Sequence, residues 1–163
     1  RRKPGPVFNF MMAAAFQDGA DYLYRVNDDT QFDARGWAQV AVAALRSFSP
    51  PNVGVVAPTC FEGNTKIMTH DLVHRTHLLI FEWYYPQVLS DWWMDDWITH
   101  VYNDSRALKG ALLPSGRAWR VHHRVSYHGT RYAVDHAHQP HLARELASGR
   151  KRLRRWLEKY RAT

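Results

Sequence analysis

The sequence predicts an α/β domain on a mixed, mainly parallel sheet with helices on both faces, and three observations carry that expectation. Tyr22–Val26 and Val53–Ala57 are short apolar runs of strand length, rich in β-branched and aromatic residues. Between them, Gly36–Phe48 sets Trp37, Val40, Ala44 and Leu45 on one face at helical spacing, so strand, helix and strand alternate. Hydrophobic residues make up 45% of the 163 residues, which is enough for one substantial core in a single domain.

Taken in order, Arg1–Pro6 is a basic lead-in containing Pro and Gly. Asn9–Gln17 is Ala- and Met-rich and reads as a helix stopped by Asp18-Gly19. The first strand follows at once and ends in Asn27-Asp28-Asp29. Ser49-Pro50-Pro51-Asn52 breaks the second helix, and Pro58 ends the second strand. Thr59–Thr69 reads as a polar loop. Asp71–Tyr84 reads as a helix capped by Thr69 or Asp71 and stopped before Pro86. Asp91–Tyr102 reads as a loop running into a short helix with Asp95 and Asp96 near its start. Ala118–Val121 reads as a strand, His122–Tyr132 as a His-rich loop, and Gln139–Tyr160 as a basic helix interrupted at Ser148-Gly149. Residues 139–163 form the basic C-terminal end of a single domain.

The formal charge is +7, and much of the excess lies at the two ends, in Arg1-Arg2-Lys3 and Arg144–Arg161. Such a balance favours an anionic partner: nucleic acid, an anionic membrane or a nucleotide diphosphate. Its terminal placement fits solvated helix surface better than a nucleic-acid face. One cysteine, Cys60, leaves no intrachain disulfide and no Cys-based zinc site. No apolar run approaches the ~20 residues that span a bilayer. Aromatic residues cluster between Phe81 and Tyr102, where a sugar or a nucleobase could stack.

Four groups of side chains could carry chemistry. A strand that leaves the core into Asn27-Asp28-Asp29 delivers oxygen atoms to the carboxyl edge of a sheet, where open α/β sheets bind ligands. Oxygen ligands suit Mg2+ or Mn2+, which often accompany a diphosphate. An Asx turn closing the strand explains the same residues equally well. Asp95-Asp96 comes second. Capping accounts for Asp95, whereas Trp92, Trp93 and Trp97 around Asp96 would dehydrate its carboxylate and raise its pKa, as a general base requires. Third are His122-His123 and His128-Gly129, with His128 the first choice and His123 the second to complete a metal site begun at Asp29. Arg131 close behind is placed to grip a phosphate. Fourth, His70, His74 and His77 fall on one face of the expected third helix. The Glu of a zinc-protease motif is missing from His70-Asp71-Leu72-Val73-His74, so a polar cleft wall or hydrogen-bonded packing is the better reading.

Gly19–Thr30, Trp92–Trp97, His122-His123 and His128–Arg131, in that order, resemble the catalytic half of a GT-A-type nucleotide-sugar glycosyltransferase. The resemblance covers most of residues 9–132. It implies a metal-dependent hexosyltransferase that moves a hexose from a UDP- or GDP-sugar to a glycan or protein hydroxyl, with inversion. It implies Asp29 and a late His on Mn2+ or Mg2+, Asn27 and Asp28 near the donor ribose and diphosphate, and Asp96 as the base, with Asp95 its neighbour. Two departures stand out. Asn27 replaces the first acid of the Asp-x-Asp motif. The nucleotide-binding strand–helix–strand unit expected before that motif is absent, so the chain reads as a fragment of a longer GT-A-like domain. The alternatives are a basic nucleic-acid-binding domain using the Arg144–Arg161 helix, and an inactive sugar-binding remnant. The compartment stays open between the secretory lumen and the cytoplasm.

Overall fold

The computed structural model describes residues 3–62, 64–103, 118–124 and 136–162. Helix α1 spans Pro4–Gln17, with proline in its first turn, where the missing N–H costs nothing. It ends at Asp18, and Gly19 takes a positive φ of 88° as the chain turns back. Gly5 and Asn9 clamp α1 to the Tyr85–Ser90 segment. The Gly5 N–H donates to the Ser90 carbonyl at 2.9 Å, and Asn9 exchanges two hydrogen bonds with the Tyr85 backbone. Strand β1 (Tyr22–Tyr24) follows, then β2 (Thr30–Phe32), α2 (Trp37–Arg46), β3 (Val55–Val56) and β4 (Thr59–Cys60). After these come β5 (Leu72–His74), α3 (Thr76–Phe81), α4 (Met94–Val101), β6 (Arg120–His123), a 3-10 turn at His136–His138, and α5 (Gln139–Ala162).

The strands form two sheets of three. In the first, β5 is central and antiparallel to both β1 and β3, with Val73 opposite Leu23 and Val55. In the second, β6 is central, antiparallel to β2 and parallel to β4. The expected α/β class and mixed pairing are present. Among the described residues the mainly parallel sheet is not: one of the four strand pairs there is parallel. The reason lies in residues 71–84. Leu72 and Val73 are fully wrapped by the core and enter the first sheet as its middle strand, so the helix expected from Asp71 begins only at Thr76. That strand fills the place between β1 and β3 where a parallel crossover would have paired them. Other expectations change as well. Helix α1 begins at Pro4, within the expected lead-in, Thr59-Cys60 pairs with β6 instead of looping, His122-His123 extend β6 instead of opening a loop, and α5 runs unbroken through Ser148-Gly149.

The main core gathers Leu23, Val55, Val73, Tyr84, Tyr85, Trp97, Ile98, Leu153 and Leu157. A second cluster, Ala41, Leu45, Phe48, Val56, Leu72 and Trp119, seats α2 on the first sheet. Among the described residues no helix is long and apolar enough to cross a membrane.

Candidate functional site

The chain passes from one sheet to the other through Asn27-Asp28-Asp29, between β1 and β2. The Thr30 N–H donates to the Asn27 carbonyl at 3.3 Å, which closes a β-turn over these residues. The turn reading and the ligand reading thus fall on the same four residues. Strand β6 lies beside them: Thr30 pairs with His123, and the Arg124 N–H donates to the Asp29 carbonyl at 2.9 Å.

This register brings Asp29 and His123 together. Asp29 Oδ1 and His123 Nε2 are 3.1 Å apart, and both side chains are largely buried. Asn27 Nδ2 is also 3.1 Å from that Nε2. Asp28 is exposed on the turn. Alternation along β6 sends His122 to the opposite face, where its Nε2 is 2.9 Å from Asp33 Oδ2 and its ring stacks on Phe61. His128 and Arg131 lie outside the described residues.

A group that sequence reasoning missed holds this turn to the first sheet. Arg25 follows β1 and is 3% exposed. Its guanidinium donates to the Asp95 carboxylate, the Thr69 carbonyl, the Tyr85 hydroxyl at 3.1 Å and Asn27 Oδ1 at 3.4 Å. Asp71 stands 3.7 Å away and accepts hydrogen bonds from the Tyr84 and Tyr85 hydroxyls, both at 2.6 Å. Burial pushes the Asp71 carboxyl up, while Arg25 and the two hydroxyls pull it back. The signal was available: an arginine inside an apolar strand, and an aspartate beside another, must find partners when buried.

Asp95 is therefore no helix cap. The N-cap of α4 is Trp93, in a left-handed conformation with φ 76° and no side-chain capping bond. Asp95 turns its carboxylate to Arg25 and keeps 27% of its side chain exposed. Burial raises its pKa to about 6 against the pull of Arg25. Conversely, Asp95 helps hold the Arg25 proton. Asp96, next on α4, is half-buried; burial raises its pKa, and His100 one turn on lowers it.

The three histidines expected on one helix face part company. His74 is in β5 and His77 in α3, while His70 lies ahead of both. His77 is a core residue, bonded to the Tyr102 hydroxyl and the Tyr84 carbonyl at 2.8 Å each. His70 belongs to the site. Its Nε2 is 2.7 Å from Thr30 Oγ1, its Nδ1 3.0 Å from Thr69 Oγ1, and its ring meets His123 edge-on. Burial lowers its pKa to about 3, with Arg25 and His123 adding to the effect, so it stands neutral.

Among the described residues no cluster of three or more His, Cys, Asp or Glu side chains is arranged for a metal. The Asp29–His123 pair is a smaller donor set, and its chemistry fits a divalent cation. A carboxylate oxygen suits Mg2+ or Mn2+, whereas an imidazole nitrogen suits Zn2+, Fe2+ or Ni2+. Adjacent ligands at ~2.1 Å in an octahedral site lie about 3.0 Å apart, close to the 3.1 Å found here. Such ions commonly take few protein ligands and complete their shell with substrate phosphates. No family model matches the chain, nor does any curated protein or solved structure.

Proposed function

We propose that the chain is a GT-A-like, metal-dependent glycosyltransferase domain that moves a hexose from a UDP- or GDP-sugar to a hydroxyl. The observation that supports this most is the meeting of Asp29 and His123, 94 positions apart in sequence, at the turn joining the two sheets. In this reading Asp29 and His123 hold Mn2+ or Mg2+, which when bound offsets the charge of the departing diphosphate. Asn27 and Asp28 flank the donor ribose and diphosphate. His128 and Arg131 remain expectations for the same site.

The chain's own residues divide the remaining work. Arg25 ties Asp95 to Asn27 and so fixes the start of α4 against the turn. Burial raises the pKa of both carboxyls, so position separates them: Asp95 is committed to the buried Arg25 guanidinium, an ion pair that protonation would break. Asp96 has no such partner in Arg25 and carries a raised pKa. It takes the acceptor hydroxyl's proton as that oxygen attacks the anomeric carbon, and a single displacement inverts the configuration. A thermal-shift screen of nucleoside diphosphates with and without Mn2+ tests the reading. Stabilisation by one nucleotide only when metal is present supports it, and indifference to every nucleotide–metal pair contradicts it.

A further inference from the structure

Helix α5 is 24 residues long, about 36 Å. It carries six arginines and two lysines against two glutamates, a net +6. Its apolar stripe is already used: Gly149, Leu153 and Leu157 are buried against the body. The seat is close, since a Cβ on Gly149 would lie 2.7 Å from Val101 Cγ2. Both flanks are tied down. Arg150 donates to the His100 carbonyl at 3.0 Å, and Arg152 pairs with Glu82 at 3.0 Å. The outer half of the helix carries Arg144, Lys151, Arg154, Arg155 and Lys159, all exposed, with one exposed acid, Glu158, among them; Arg144 also pairs with Glu145 at 3.2 Å. Beside it, Trp83 is 45% exposed. That indole shares a cavity of about 250 Å3 with Phe81, Val88, Trp97, Ser148 and Arg152.

We propose that the outer face of α5, with Trp83 at its side, is a docking surface for an anionic membrane. Charge complementarity supplies the attraction, because basic side chains at a surface are drawn to anionic headgroups. The shape selects the partner. Helix α5 is seated along one face and bonded on one flank to His100 in α4 and on the other to Glu82 at the end of α3, so its exposed cations line a single outer face. What remains is a low ridge that meets a flat surface. Tryptophan prefers the headgroup layer of such a surface, and Trp83 is placed to enter it as the cations settle on phosphates. This surface is independent of the transfer reading above.

Flotation with phosphatidylcholine vesicles, with and without phosphatidylserine, tests the proposal. Binding is expected only with the anionic lipid and should weaken as salt rises. The double variant Lys151→Glu/Arg155→Glu should lose at least about twentyfold in affinity, at roughly fivefold per cation. Both residues are exposed, and an unchanged melting temperature checks the fold. Trp83→Ala should weaken binding without altering its salt dependence. Equal binding to neutral vesicles, full binding by the double variant, or binding to duplex DNA in place of vesicles would each overturn the proposal. Trp83→Ala binding as the parent does would remove Trp83 from the surface.

Discussion

The Arg25 guanidinium, at the end of β1, donates to the Asp95 carboxylate at the start of α4, 70 positions away in sequence. It also reaches Asn27, Thr69 and Tyr85, so one buried cation joins the β1–β2 turn, the approach to β5 and the α4 helix start. Arg25→Met removes the cation and leaves Asp71 buried without it. Breaking a buried pair from one side costs about 3–5 kcal/mol. Urea denaturation of the variant should show a loss of that order, and a loss below about 1 kcal/mol would mean the network is not holding these elements together.

Acid should work against the fold at its buried histidines. His77 titrates at about 4 because burial disfavours its cation, against 6.5 unfolded. His70 falls to about 3 for the same reason. Groups with depressed pKa stabilise above the unfolded value, and that contribution is lost as pH falls toward the folded one. For His77 alone this is up to about 3 kcal/mol. Asp95 works the other way: raised to about 6, it favours the fold below its unfolded pKa and loses that contribution as pH rises through 6. The pKa of His74 is lowered as well, while those of Asp71 and Asp96 are raised alongside that of Asp95, so the two sets of groups oppose each other. In urea titrations at pH 6.5 and 4.5, His77→Phe should make the change on acidification less unfavourable than in the parent, and Asp95→Asn should make it more unfavourable. The opposite signs would show that these groups do not set the acid response.

The base assignment separates neighbours. Asp96→Asn preserves size and should lower transfer by about 10²–10⁴ while nucleotide and metal binding persist. Asp95→Asn, which leaves Arg25 with Asp71 and Tyr85, should reduce transfer less and raise KM as the start of α4 shifts. Full activity in Asp96→Asn with a dead Asp95→Asn would move the base to the Arg25-bound residue.

Local pattern made much of this arrangement legible. The Trp37–Leu45 face and the short helix after Trp93 form where they are expected, and the Ala-rich first helix does too but begins at Pro4, five residues before Asn9. The sequence names a late histidine for Asp29, His128 before His123; it is His123 that meets Asp29, and His128 lies outside the described residues. What decides between His122 and His123 is strand alternation in β6, and that depends on a pairing partner the local sequence does not name. His70-Asp71-Leu72-Val73-His74 misled because its spacing suits a helix. Burial between β1 and β3 overrode that spacing. Asp95 looked like a cap because its partner, Arg25, was hidden within an apolar strand.

The central claim is that Asp29 and His123 together hold a metal carrying a nucleoside diphosphate. Titration calorimetry of UDP and GDP, with and without Mn2+, on the parent chain and on Asp29→Ala and His123→Ala, tests it most directly. The account predicts metal-dependent binding of one nucleotide by the parent and a loss of at least about tenfold in both variants, which should remain folded. Nucleotide binding that ignores Mn2+, or variants that bind the nucleotide–metal pair as tightly as the parent, would contradict it.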